Sequence, residues 1–266
     1  MCGRYSLNAE VSQIIEQFVL RHDVDRIRKE YAGRPKRNDE TAEKEVRPGK
    51  MPVPVIREIG GIRTIDYVRW TIENVTVYKE GSEKKVVLSN SHPNARIENL
   101  YDKNKRQDAL LHRRCLVPAD AYWEWTPRIN GPQKRYKFYF KDKELMAFPG
   151  IICEYEDSQK KIQYGFLTVT VKPNPFVKTI HDRQPGLILQ KDYDAWLGPG
   201  SYEPEKLIYE AINKELWYEV ETDKDLLPKE KLTKSERTSK GKVSRVEGEV
   251  KKKSQAESDS EPRLFP

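Results

Sequence analysis

Residues 114–125 read RCLVPADAYWEW, and this stretch decides the fold class. β-Branched and aromatic residues crowd Cys115–Val117 and Ala121–Trp125, which is the composition of short strands. The pattern continues towards the C-terminus. Tyr136–Phe140, Leu145–Glu154 and Ile162–Val171 are predicted strands, with turn chemistry at Asn130-Gly131 and Asp142-Lys143. Leu187–Leu189 and Trp217–Val220 read as two shorter ones. Towards the N-terminus, Met51–Ile56 and Ile62–Trp70 are also predicted strands. Helical spacing of Val11, Ile14, Ile15, Phe18 and Val19 predicts a helix over 9–20. Further helices are predicted over 97–111, 192–197 and 203–212. Residues 21–44 are polar, contain Gly33 and Pro35, and read as a mobile loop; 80–85 read as a charged turn. Strands and helices do not alternate regularly. The pattern therefore predicts an α+β domain with a mixed, mostly antiparallel sheet and flanking helices, not a doubly wound parallel sheet.

Composition narrows the function classes. The 266 residues are 36% hydrophobic and 34% charged, with five Trp, 14 Tyr and 7 Phe, enough apolar mass for one core. From Pro228 to Pro266 there are eight Lys and three Arg against six Glu and one Asp, with few apolar residues between them. Such a segment cannot offset its chain entropy, so residues 228–266 are expected to be a disordered lysine-rich tail after a single domain of residues 1–227. The net charge of +7 suits a polyanionic partner without requiring one. Three cysteines, Cys2, Cys115 and Cys153, give neither a disulfide framework nor zinc-site spacing, so no metal or cofactor is expected. MCGRYSLNAE lacks the pattern of a secretory signal, and no apolar run approaches the ~20 residues of a membrane span. A cytoplasmic monomer is the expectation.

Four positions could carry chemistry. Removal of Met1 would leave Cys2 with an α-amine and a thiol on adjacent carbons. The amine titrates at roughly 8, so a useful fraction is neutral near pH 7 and can attack an aldehyde. The thiol can then close a thiazolidine on the resulting imine. By position alone, Cys2 can equally be incidental. In Pro93-Asn94-Ala95-Arg96-Ile97-Glu98, Asn94 is either a helix N-cap or a hydrogen-bonding partner of the reactive terminus; Arg96 either pairs with Glu98 or contacts phosphate. In Ala121-Tyr122-Trp123-Glu124-Trp125, Glu124 points away from both tryptophans. It is either a solvent-facing residue or a desolvated general acid–base. His181, in Ile180-His181-Asp182-Arg183-Gln184-Pro185, is either a structural loop residue or a proton shuttle.

Together and in this order these segments resemble the SRAP family (SOS response-associated peptidase-like) of abasic-site processing proteins. The resemblance also covers Met1-Cys2-Gly3-Arg4-Tyr5, Arg47-Pro48-Gly49, Pro52-Val53-Pro54-Val55, Trp70 and Arg114-Cys115-Leu116-Val117-Pro118, and spans residues 1 to about 220. It implies a single domain with a barrel-like sheet. It implies a protein that binds single-stranded DNA and couples Cys2 to the aldehyde of an abasic site, with lyase character and peptidase-like loss of Met1. Carried over to this sequence, Asn94 positions the terminus and the sugar, Glu124 is the general acid–base, and His181 assists ring opening. Arg4, Pro48, Trp70, Arg96 and Arg183 become candidate DNA contacts.

Three features depart from the family pattern. Glu45 stands where an Asn is usual. Thr71-Ile72-Glu73-Asn74 follows Trp70, and no second Trp precedes Asn94, so the usual base-stacking aromatics are missing. The tail is also outside the resemblance. Two other functions remain open on the sequence: a cysteine-dependent N-terminal-nucleophile peptidase using the same four residues, and a non-catalytic single-strand DNA-binding module.

Overall fold

The computed structural model describes residues 3–33, 45–49, 51–70, 76–77, 86–87, 93–102, 104–127, 133–142, 144–156, 161–200, 203–210 and 216–221. In chain order its strands are β1 (Tyr5–Ser6), β2 (Glu45–Val46), β3 (Pro52–Ile59), β4 (Ile62–Arg69), β5 (Thr76–Val77), β6 (Val86–Val87) and β7 (Asn94–Arg96). They continue with β8 (Arg114–Ala119), β9 (Ala121–Trp125), β10 (Arg135–Phe140), β11 (Met146–Glu156), β12 (Ile162–Val171), β13 (Gln184–Pro185) and β14 (Leu216–Glu221). The helices are α1 (Val11–Gln17), α2 (Val24–Ala32), α3 (Asn104–His112) and α4 (Tyr193–Leu197).

Five strands close a ring. β11 pairs with β8, β8 with β3, β3 with β4, β4 with β12, and β12 returns to β11. All of these pairings are antiparallel except β4 with β12. β7 adds to β12 in parallel, with Asn94 beside Thr168, and β13 adds antiparallel. Closure requires β11 to change partners near its middle. Gly150 pairs with both Cys115 and Thr168 at that point. A Cβ there would lie 2.5 Å from Cys115 Sγ, so the change of partner needs glycine. At the far end, β3 turns into β4 through Gly60 and Gly61, both at positive φ (58° and 77°), as a two-residue hairpin demands.

A second sheet, β14-β10-β9-β1-β2, is antiparallel throughout. Its inner face, Tyr5, Tyr122 and Phe138, packs on the barrel residues Trp70 and Phe148. Tyr5 lies 5.0 Å from Trp70 and 6.2 Å from Phe148, ring to ring; Tyr122 lies 6.1 Å from Phe148 and 4.9 Å from Phe138. Trp70 also stacks on Phe166 from the barrel wall. This aromatic seam is the centre of the core, and it fixes how the end of β9 meets the barrel. α4 seals the other side: Trp196 Nε1 donates to the Cys115 carbonyl at 2.8 Å, and Tyr193 stacks on Phe18, just past α1.

The predicted strands 51–56, 62–70, 115–117, 121–125, 136–140, 145–154, 162–171 and 217–220 all find counterparts. Three expectations change. Residues 24–32, read as part of a mobile loop, form α2, because Ile27 and Tyr31 bury one helical face and Arg26 pairs with Asp23 and Glu30. The helix expected over 97–111 is interrupted: Ile97–Asn99 form one 3₁₀ turn and α3 starts at Asn104. Of the helix expected over 203–212, the described residues 203–210 form only a 3₁₀ turn at Pro204–Leu207, after which Tyr209 bridges to Leu187. In place of the strand expected at 187–189, this bridge and an Ile188 N–H bond to the Ala147 carbonyl are what forms. The expected turns at 80–85 and at Asn130-Gly131, Lys143, and the tail, 228–266, lie outside the described residues. Among the described residues no helix is long and apolar enough to cross a membrane.

Candidate active site

Strand alternation on β9 sends Trp123 and Trp125 to one face and Tyr122 and Glu124 to the other. Tyr122 enters the core, so Glu124, two residues on, is carried into the seam between the two sheets. Its side chain is 1% exposed. Burial pushes its carboxyl up to about 8; the positive charge of the chain's amino terminus opposes this, and Asp182 adds to it. The carboxyl is therefore largely protonated at neutral pH.

His181 comes from the turn that follows β12. Asn174 Oδ1 accepts the N–H groups of Phe176 (3.0 Å) and Val177 (2.8 Å), and Gln184 Oε1 accepts the N–H of Asn174 (3.0 Å). The His181 N–H closes the turn on the Val177 carbonyl at 2.9 Å. The imidazole is anchored through Nδ1, which lies 3.0 Å from the Arg183 nitrogen, 3.1 Å from the Arg183 oxygen and 3.2 Å from Asp182 Oδ1. Nε2 is thus the atom presented to Glu124, 3.7 Å from Oε2. That gap is just beyond a direct hydrogen bond, so a small approach of either side chain would join the two groups. Burial, with the amino-terminal charge, lowers the His181 pKa, which favours the neutral ring.

The chain start reaches the same place. Tyr5 pairs with Tyr122, and the Trp123 N–H donates to the Arg4 carbonyl at 3.0 Å. Extending this antiparallel register puts Gly3 beside Glu124. Cys2 lies outside the described residues.

Asn94 is not a helix cap. It sits in β7, buried, in register with Thr168 of β12. Its segment is tied to that of His181 by an ion pair across 85 residues: Arg183 Nη1 and Nη2 donate to Glu98 Oε1 and Oε2 at 2.6 and 3.0 Å. Arg183 Nη2 also donates to the Thr170 carbonyl at 2.5 Å. Glu98, expected to pair with Arg96 if with anything, instead holds Arg183, and that guanidinium holds Glu98 below the usual carboxylate range.

The candidate cationic and aromatic contacts divide accordingly. Arg96 is exposed. Pro48 is half-buried, next to Gly49, whose N–H donates to the Trp70 carbonyl. Arg183 is buried and committed to Glu98 and Thr170, which corrects its assignment to phosphate. Trp70 is 1% exposed, with Nε1 donating to the Pro93 carbonyl at 2.9 Å, so it is a core residue and not a stacking surface. Arg4 lies over the Trp125 ring at 5.0 Å and pairs with Glu45 at 3.3 Å. Glu45 also pairs with Arg47 and Arg135. The Glu where the family pattern has Asn is thus the hub of three arginines. Arg135 escaped the sequence reading, although the alternation of RYKFYF over 135–140 already put Arg135 and Lys137 on one face.

The fold and site define an α+β barrel protein with a buried carboxyl facing a half-buried imidazole beside the β1–β9 strand pair. Solved structures share this fold. A protein from Bacteroides thetaiotaomicron superposes with a TM-score of 0.64 at 18% identity, covering 82% of this chain and 91% of that one. A phage-related protein from Bordetella bronchiseptica gives 0.59 at 17%, covering 84% and 95%. The chain belongs to the SOS response associated peptidase (SRAP) family, which matches residues 1–224. Among its relatives are abasic site processing protein YoqW of Bacillus subtilis, 28% identical over 78% of this chain and 84% of that protein. Abasic site processing protein HMCES of Gallus gallus is 25% identical over 42% and 38%.

Proposed function

We propose that residues 1–227 form a catalytic and DNA-binding domain that processes abasic sites in single-stranded DNA, with Cys2 as the covalent nucleophile once Met1 is removed. The observation that carries this reading is the Glu124–His181 pair: a buried, protonated carboxyl and a half-buried, neutral imidazole, 3.7 Å apart. The names of the relatives, abasic site processing proteins, support the substrate.

The chemistry follows from the protonation states. The ring-opened abasic sugar presents an aldehyde at C1′. The Cys2 α-amine adds to it and gives a carbinolamine. Glu124 donates its proton to the departing hydroxyl, and water leaves as the C=N bond forms. The Cys2 sulfur then adds to C1′ and closes a five-membered thiazolidine, while its proton returns to the Glu124 carboxylate. The sum is aldehyde plus aminothiol to thiazolidine plus water. His181 Nε2 moves the proton that opens the sugar ring, and Asn94 positions the terminus and the sugar. An iminium left open acidifies the C2′ proton and allows β-elimination of the 3′ phosphate, so ring closure by sulfur protects the strand. Arg4 and Arg96 remain the proposed phosphate contacts.

A denaturing gel tests the reading directly. Full-length protein mixed with single-stranded DNA bearing one abasic site is expected to give a heat-stable protein–DNA band. The band should vanish in Cys2→Ala and with undamaged DNA. A band that persists in Cys2→Ala would overturn the assignment.

A further inference from the structure

Three aromatic rings cluster on β10, β14 and the segment before His181. Tyr136 is the cross-strand partner of Glu124 on β10. Its ring lies 5.7 Å from that of Tyr218 on β14. Phe176, which precedes the His181 turn, lies 4.6 Å from Tyr218. Tyr136 and Phe176 are half-buried, whereas Tyr218 is 45% exposed. Lys134 and Lys178 are exposed ammonium groups on the same two segments.

We infer that the Tyr136–Phe176–Tyr218 cluster is a stacking platform for a nucleobase next to the abasic nucleotide, with Tyr218 as its outer face. This rests on the proposed function, whose substrate it refines. Three arguments select a single-stranded nucleic acid as the occupant. The cluster adjoins the reactive pair, so a strand whose baseless sugar reaches Glu124 must lay a neighbouring nucleotide close by. Its exposed element is a π face, which any base can stack on without sequence preference. The flanking lysines match the charge of a phosphate backbone. A baseless nucleotide offers no stacking of its own, so binding energy has to come from its neighbours. The platform is a positioning device and makes no contact with C1′.

The test uses the full-length chain and anisotropy with two oligonucleotides. One carries a single tetrahydrofuran site, an abasic mimic without an aldehyde, between ordinary bases. In the other, the two flanking nucleotides are tetrahydrofuran as well. Wild type is expected to bind the first more tightly, by roughly 5- to 150-fold for one base–aromatic stack. Tyr218→Ala should remove most of that difference, Tyr136→Ala part of it, and Tyr218→Phe none. Thermal midpoints of the variants separate loss of the platform from loss of the fold. The inference is overturned if wild type does not distinguish the two oligonucleotides, or if Tyr218→Ala distinguishes them as well as wild type does. Reaction of wild type with a natural abasic site is scored in parallel. No covalent adduct there defeats the proposed function, whereas an adduct with Tyr218→Ala unchanged in binding defeats only the platform.

Discussion

Glu124 and Glu45 stand on opposite faces of one five-stranded sheet, and both are largely withdrawn from water. Burial acts on both in the same direction, raising the carboxyl pKa. At Glu45 the hydrogen bond and charge of Arg135, with Arg47 and Arg4, outweigh it, and the group is held below the usual carboxylate range. At Glu124 the chief opposing charge is that of the amino terminus, burial wins, and the group rises to about 8. The same side chain is thus a fixed anion on one face and a protonated carboxyl on the other. What differs is the alternation of the neighbouring strands: β10 turns Arg135 and Lys137 to the Glu45 face and Tyr136 and Phe138 to the Glu124 face. Apolar neighbours keep a carboxyl protonated; cationic ones ionise it.

The largest expected effect comes from removing the proton donor. Glu124→Gln keeps the shape and cannot donate. Single-turnover crosslinking on abasic single-stranded DNA should slow by about 10²–10⁴-fold. In wild type the rate should fall as pH rises past about 8, because the protonated form is the active one; in the variant that alkaline limb should be absent. Stability should move the other way. A pKa raised by folding contributes stability that is present below the unfolded value near 4.5 and is lost as pH rises through about 8. Glu124→Gln should therefore gain on wild type in urea midpoints as pH rises from about 5 to about 8. An unchanged alkaline limb in the variant would remove Glu124 from the reaction.

The next effect makes the two faces alike. Tyr136→Lys places an ammonium across the strand pair from Glu124 and so gives that carboxyl a cationic neighbour, as Glu45 has in Arg135. An opposite charge at that range should lower the carboxyl pKa by about one unit or more. The alkaline limb of the crosslinking profile should shift to lower pH by the same amount. Loss of base stacking at Tyr136 would scale the rate at every pH and leave the limb where it was, so the shift is specific to the electrostatic argument.

Much of this contrast was legible in the sequence. Two tryptophans around Glu124 implied that its face differed from theirs, and the period-2 runs gave the strands of both sheets. α2 was hidden because only Ile27 and Tyr31 mark its buried side among charged residues. The roles of Arg183 and Glu45 were hidden for another reason. Arg183 meets Glu98 across 85 residues and Arg135 meets Glu45 across 90, and no local pattern encodes which distant cation a carboxylate will find. Alternation predicts the face of a residue; only the assembled sheets decide whether that face holds arginines or aromatic rings. The Trp70 reading failed on the same ground, since the seam with Tyr5 and Phe166 forms only when β1 docks on the barrel.

The smallest effect concerns the anion. Glu45→Gln leaves Arg4, Arg47 and Arg135 without their common counter-charge. Arg135 is buried, and it also lies 4.8 Å over the Trp123 ring, so it keeps part of its surroundings. The Glu45 side chain is 18% exposed, so solvent screens part of the loss, and the cost at pH 7 should be about 1 kcal/mol. The sign of its pH dependence is opposite to that of Glu124. A carboxylate with a lowered pKa contributes stability that is present above the unfolded value and is lost as pH falls through the folded one. The urea midpoints of wild type and Glu45→Gln should therefore differ at pH 7 and converge in acid. The Glu124→Gln difference should instead open towards alkali. A Glu45→Gln difference that persists in acid would mean that packing, and not charge, makes Glu45 the hub of its face.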